Sequence, residues 1–412
     1  MKVLHTSDWH LGRLLYGQKR YREFTQFLDW LSQTMASEQI DILLVAGDIF
    51  DTSAPSNRAQ SLYYEFLCRV ATSSCRHIIV IAGNHDSPTF LDAPKALLRS
   101  LDVHVIGAAT ENIDDEILLL KDADGCPELL VCAVPYLRDR DIRQVQAGES
   151  LADKDHNLLE GIRNHYHQVA ELAAQQRQAL GLDIPIIAMG HLFTAGGQTI
   201  DGDGVRELYV GSLAHVNASI FPACIDYVAL GHLHVPQKIG GSELMRYSGS
   251  PLAMGFGEAT QQKSVCLIAF NKVHTSPPSV ELLNVPVFQR LLKISGNWAD
   301  ISSQLVALVE FSETVWLEIV YQGDELISDL RERLENLTAD SELLILRIQN
   351  ARLIERVLNS TQTDESLEDL DVDDVFDRCL SAHDISATQR PDLLHTYQQA
   401  LISLHNDDLL AE

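Results

Sequence analysis

Five apolar runs along this chain end in the same way. KVLHTS leads into Asp8-Trp9-His10, IDILLVA into Gly47-Asp48-Ile49-Phe50-Asp51, and HIIVIA into Gly83-Asn84-His85-Asp86. Further on, IPIIAM runs into Gly190-His191 and DYVAL into Gly231-His232-Leu233-His234. Short runs rich in β-branched and large apolar residues read as buried strands. Each one delivers Asp, Asn or His at its carboxyl end, four of them straight after a glycine. Ligands of an open α/β sheet gather at the carboxyl ends of its strands, so these groups are expected to converge on one cleft. The glycines let the backbone turn sharply and approach a ligand closely. A single histidine is more often a hydrogen-bonded structural group than a ligand. Five strand ends of this kind in one chain outweigh that reading.

The donor types point to one chemistry. Carboxylate, amide and imidazole without any thiolate suit hard-to-borderline divalent ions such as Mn²⁺, Fe²⁺ or Zn²⁺. Two such ions about 3.5–4 Å apart can clamp a phosphate, lower the pKa of a bound water and stabilise attacking and leaving oxygens. One carboxylate has to bridge them, and Asp48 is the natural candidate. His232 and His234 are two residues apart, a spacing that sends both side chains the same way from an extended segment.

The rest of residues 1–280 alternates strands with amphipathic helices. LLVCAVPY and VCLIAF add two more buried strands, while Phe24, Phe27, Leu28, Leu31 and Met35 recur at helical spacing, as do Leu62, Phe66, Leu67 and Val70. The class is therefore α/β, a sandwich with a mixed sheet, because several later strands lie too close together for crossover helices. A long polar helix is expected over 155–180, with His165 and His167 facing solvent. Residues 285–352 read β-α-β-α-β, enough for a small domain of their own. Past residue 360 come eight carboxylates between Asp364 and Asp377, then two amphipathic helices over 365–408. So short a helical pair builds little core, and its apolar faces need the rest of the chain or a partner.

At 412 residues the chain exceeds what one core usually serves. Its formal net charge of −27 argues against a general nucleic-acid coat. The charge is uneven: residues 1–280 hold 32 acidic and 22 basic residues, and 281–412 hold 26 and 9. The stretch GRLLYGQKRYR at 12–22 is locally basic, and Arg13, Lys19 and Arg20 are its candidate phosphate contacts. Seven scattered cysteines without a C-x-x-C pair fit reduced thiols in a cytoplasmic protein. No apolar run approaches a membrane span, and MKVLHTSDWH enters a strand at once, without a signal-peptide core.

Taken together, D-x-H, G-D-x-x-D, G-N-H-D, G-H and G-H-x-H in this order resemble the blocks of the calcineurin-like metallophosphoesterases. SDWHLG at 7–12 and GSPLAMGFGE at 249–258 narrow the resemblance to their DNA double-strand-break-repair nucleases. It implies a four-layer β-sandwich flanked by helices over 1–280, a small α+β capping domain over 285–352 and a partner-binding helix pair over 365–408. One metal ion would sit on Asp8, His10, Asp48 and His234, a second on Asp48, Asn84, His191 and His232, with Mn²⁺ the implied ion. His85 would act on the phosphodiester itself and Asp86 would orient it. Archaeal and eukaryotic relatives carry a second active-site histidine where this chain has Asp51, which is left a supporting role. The implied activity is exonuclease on double-stranded DNA and endonuclease on single strands and hairpins. The implied assembly is a homodimer bound to a coiled-coil ATPase. Two other readings share the metal blocks: a small-molecule or cyclic-nucleotide phosphodiesterase or phosphoprotein phosphatase, and a non-catalytic scaffold. The extra domain and helical tail favour the nuclease, and the intact metal positions disfavour the scaffold.

Overall fold

The computed structural model describes residues 1–142, 150–194, 218–271, 276–310, 314–323, 327, 329–350, 390 and 397. Apart from residues 390 and 397, the helix pair expected over 365–408 lies outside them. The chain divides into two compact units, Met1–Arg290 and Leu291–Glu412.

Two six-stranded sheets build the first unit. In chain order the first sheet holds β1 (Lys2–Thr6), β2 (Ile42–Ala46), β3 (His77–Ile81) and β4 (Val103–Ile106). The second holds β5 (Ile117–Lys121), β6 (Pro127–Ala133), β7 (Ile186–His191), β8 (Tyr227–Gly231), β9 (Gln237–Lys238) and β10 (Met245–Tyr247). β11 (Ser264–Ala269) and β12 (Ser279–Asn284) return to the first sheet, whose order is β12-β11-β1-β2-β3-β4. The second runs β9-β10-β8-β7-β6-β5. Both are mixed: β1 to β4 are parallel, and β11 joins β1 antiparallel. β6, β7, β8 and β10 are parallel, flanked by antiparallel β5 and β9.

Side-chain alternation along these strands makes three cores. Ile42, Leu44, Ile79 and Ile81 of the first sheet meet Leu129, Val131, Ile187 and Met189 of the second. The alternate residues Leu43, Val45, Ile78 and Val80 face the helices α1 (Tyr21–Glu38) and α2 (Asn57–Ala71). Their apolar stripes are those that the helical spacing anticipates, and Ser56 caps α2 by accepting from Ala59 N. On the far side, Leu130, Cys132, Ile186 and Ala188 pack on α3 (Leu151–Leu180) through Ile162, Tyr166, Val169 and Ala173. The result is a helix–sheet–sheet–helix sandwich of four layers. One expectation on α3 fails. His167 is exposed, but His165 is largely covered because its Nε2 lies 2.7 Å from the buried Glu116 carboxylate. The first unit also runs past residue 280, because β12 pairs along its whole length with β11.

The second unit has a three-stranded sheet in the order β13 (Arg290–Gly296), β14 (Val315–Tyr321), β15 (Leu343–Asn350). α4 (Trp298–Val309) and α5 (Leu330–Thr338) connect them, and Ile301, Leu305, Leu330 and Leu334 pack on Val315, Leu317 and Ile319. Asn297 and Asp300 form a reciprocal capping box that starts α4. Among the described residues no helix is long and apolar enough to cross a membrane.

Candidate metal centre

The strand-end loops are held in an uncommon backbone state. Asp8, His10, Asp48 and His232 all have positive φ (53°, 47°, 51° and 106°), a region L-residues visit rarely and functional sites often. Backbone bonds hold the first two loops together: Asp8 N donates to Gly47 O and His10 N to Asp48 O, both at 3.0 Å. The glycines serve this crowding. A Cβ at Gly83 would run into Asp48, and one at Gly47, whose φ is +87°, into the His191 ring.

All seven side chains that the sequence singles out as ligand candidates come together here. Asp8, His10 and His234 offer ligand atoms within 4.8 Å of one another, and so do Asp8, Asp48 and His191. His10 Nε2 is 3.1 Å from His234 Nε2 and 3.6 Å from Asp48 Oδ2. Asp48 Oδ2 is 3.3 Å from His191 Nε2, and Asn84 Oδ1 lies 3.0 Å from His191 Nε2 and 3.1 Å from His232 Nδ1. His191 Nδ1 is 2.9 Å from Ala46 O, which can only accept, so Nδ1 carries the proton. A neutral His191 would therefore aim the Nε2 lone pair at two further acceptors, Asn84 Oδ1 and Asp48 Oδ2. Acceptor facing acceptor in a buried site calls for a positive charge, a proton or a metal cation. The donor set fits the latter.

The proton equilibria follow the same logic. Burial alone would lower His191, yet the Asp48 carboxylate beside it holds it up at about 9. Burial would raise Asp48, but His191 and His10 keep it well below the usual carboxylate range. Asp8 is pushed up to about 7 by burial and by the nearby Asp48 charge, although His191 opposes that. Burial keeps His10 and His232 neutral, the latter at about 3.

Around this cluster the structure redistributes several expected roles. The Asp86 carboxylate is not hydrogen-bonded to the His85 ring. It accepts from Ile49 N (3.1 Å), Phe50 N (3.0 Å) and Gly83 N (2.8 Å), tying the second strand-end loop to the third. His85 is oriented instead by the Asp51 main-chain carbonyl, 2.7 Å from its Nδ1, and its backbone N–H donates to Asp48 Oδ1 at 2.9 Å. A sequence motif cannot reveal this, since the partner is a backbone atom 34 residues away. The Asp51 side chain lies 3.3 Å from His10 Nδ1 and 3.2 Å from Arg13, and the His10 contact together with the Arg13 charge outweighs burial to lower its pKa. Lys19 is exposed on a two-residue hairpin strand. Arg20 is not available to a phosphate: it is 2 % exposed, paired with Glu23 through two hydrogen bonds (2.9 and 2.7 Å) and bonded to Ala253 O.

Known proteins are similar to this chain over most of its length. The calcineurin-like phosphoesterase profile matches residues 1–236, and the profile described as type 5 capsule protein repressor C-terminal domain matches 287–384. The SbcD component of the SbcCD nuclease from Escherichia coli K12 is 38 % identical over 407 residues, 98 % of each chain. The chain belongs to the SbcD family of calcineurin-like phosphoesterases. Its relative from Bacillus subtilis, also an SbcD chain, is 40 % identical over 273 residues, covering 65 % of this chain and 66 % of the relative. The SbcD chain from Staphylococcus epidermidis is 30 % identical over 311 residues, 74 % and 75 % respectively.

Beyond the family blocks, the centre recruits residues that sequence reasoning missed. Glu258, fully buried, sits 3.7 Å from His234 Nδ1 and accepts from Met254 N and Lys263 Nζ. Lys263 also donates to the His234 carbonyl at 3.0 Å, so one buried ion pair fixes both ends of His234. Glu258 closes the GSPLAMGFGE stretch, and an acid ending that apolar run was the one signal for it. Arg138 reaches the Asp86 carbonyl through Nη2 at 3.3 Å, while its buried Nη1 has no partner. Nothing in its own neighbourhood of the sequence marks it.

Proposed function

We propose that the chain hydrolyses DNA phosphodiesters at a two-metal centre, as the nuclease component working with an SbcC-type coiled-coil ATPase. One observation carries this reading: six buried donors and the half-buried Asn84, from five strand ends, that set acceptor against acceptor. One cation would be held by Asp8, His10, Asp48 and His234, the other by Asp48, Asn84, His191 and His232, with Mn²⁺ the expected ion. Bound cations of this kind polarise the phosphodiester and lower the pKa of the attacking water. The chain's residues supply the rest. His85, fixed through Nδ1 by the Asp51 carbonyl, keeps Nε2 for the phosphodiester, where it stabilises charge or protonates the leaving oxygen. Asp86 positions the loops that carry Asp48 and Asn84. Arg13, paired with Asp51, and Arg138, bonded to the Asp86 carbonyl, are assigned to phosphate contact, as is exposed Lys19.

The remaining assignments complete the picture. Residues 285–352 form a cap over the DNA, and 365–408 dock on the ATPase coiled coil. The protein works as a homodimer in a heterotetramer, in the cytoplasm and on the nucleoid, as an ATP-dependent double-strand exonuclease and a single-strand or hairpin endonuclease. The net charge of −27 fits a protein that shares its grip on DNA with a partner. The test is cleavage of end-labelled linear duplex by the purified chain in Mn²⁺ or chelator, with and without the ATPase and ATP. Cleavage that needs Mn²⁺ and rises with partner and ATP is the expected result. Hydrolysis of a small phosphodiester without DNA cleavage in any condition would replace the nuclease with a small-molecule phosphodiesterase.

A further inference from the structure

A second group of donors meets at the opposite end of the first sheet. β3 begins at His77, whereas its carboxyl end leads to the Asn84 loop. His104 lies on the neighbouring parallel strand β4, opposite Ile79. Ile79 and Ile106 belong to the core between the sheets, so alternation puts His77 and His104 at the rim of that same face. Asp102, immediately before β4, has a φ of 55° and is exposed. One ligand atom each from His77, Asp102 and His104 lies within 4.8 Å of the others.

The tautomer of His77 is what turns proximity into an argument. Its Nε2 is 2.9 Å from the carbonyl of Lys121, the last residue of β5 at the edge of the second sheet. A carbonyl only accepts, so Nε2 of the neutral ring carries the proton and Nδ1 is left with a bare lone pair. That Nδ1 is buried and has no hydrogen-bond partner. A ligating imidazole almost always donates its other N–H to a carbonyl or carboxylate, which fixes the ring and raises its basicity. A water molecule on Nδ1 would satisfy the atom, but it would give no role to the second imidazole and the carboxylate within reach of the His77 ring.

We propose that His77, His104 and Asp102 form a separate divalent-cation site that ties the edge of one sheet to the edge of the other. Two imidazoles and one carboxylate favour a borderline ion of the zinc type over Mn²⁺ or Mg²⁺, with water completing the coordination. The inference is independent of the centre at the carboxyl ends, which shares none of these residues.

Zinc counting on the full chain tests it. Chelator-stripped wild type and His77→Ala/His104→Ala are equilibrated with Zn²⁺, desalted and measured by elemental mass spectrometry. The variant is expected to hold one zinc fewer per chain, and zinc is expected to raise its melting temperature less than that of wild type. Equal zinc counts would overturn the site. If the double variant no longer melts cooperatively, Asp102→Asn replaces it. Zinc affinity about tenfold weaker or more at the site is then expected, and unchanged affinity overturns the assignment equally.

Discussion

The two ends of the first sheet treat polar residues differently. At the carboxyl ends, Asp8, His10 and Asp48 are buried, strained in φ and crossed by main-chain bonds between neighbouring strand ends. At the amino ends, His77, Asp102 and His104 stay partly open, and one carbonyl bond holds His77. Burial with strain persists only where the surroundings overdetermine it, which suits a centre that must keep its geometry through a reaction. The cation site proposed at the open end has fewer such restraints. The lesson is that donor type alone does not rank two clusters, whereas the number of independent restraints on each donor does.

The widest gap between the ends is expected from Asp48→Ala. It should remove bound Mn²⁺ and lower hydrolysis about 10³-fold or more, read by elemental analysis beside DNA cleavage. Two ions still bound in this variant would unseat Asp48 as the bridge. His85→Ala should keep the metal count and lose about 10²–10⁴-fold in kcat, so a lost ion there would move His85 into the ligand set. Asp86→Asn leaves the side chain one oxygen for three backbone donors. It should cost about 10–100-fold in activity, with the pH optimum of cleavage unmoved if Asp86 only positions the loops.

Between the two ends, in the middle of β1, His5 offers a test on stability. Burial first, and the nearby Arg246 charge, lower its pKa to about 3 against an ordinary 6.5. The unfolded chain takes up a proton that the fold refuses, so this contribution is complete above pH 6.5 and is lost as pH falls toward 3. The loss is about 1.4 kcal/mol per pH unit in that window. His5→Gln should flatten the pH dependence of the urea midpoint there, and an identical slope would assign the acid sensitivity elsewhere. The smallest effect belongs to the amino end: His77→Ala/His104→Ala should leave Mn²⁺-dependent cleavage within about twofold of wild type. A larger loss would mean that the two ends are coupled.

Much of this was legible in the chain itself. Strands such as ILLVA and HIIVI announce burial on both faces, and helix α1 shows its core stripe of Phe24, Phe27, Leu28 and Leu31 directly. β12 was harder, because SVELLN on an edge has mostly exposed side chains and little periodic signal. His165 defeated the reading for another reason: its partner Glu116 comes from a segment 49 residues away. The same limit hid the orientation of His85, the anchoring by Asp86 and the burial of Arg20.

The sequence by itself determined the α/β class, the five strand ends and the kind of donor each delivers, because strand burial and turn chemistry are local properties of the chain. Tertiary structure alone decided which donors face one another, which nitrogen of each imidazole is committed, and which charges are already neutralised. Those depend on atoms far apart in sequence, often main-chain carbonyls such as those of Ala46, Asp51 and Lys121, whose positions no residue type encodes.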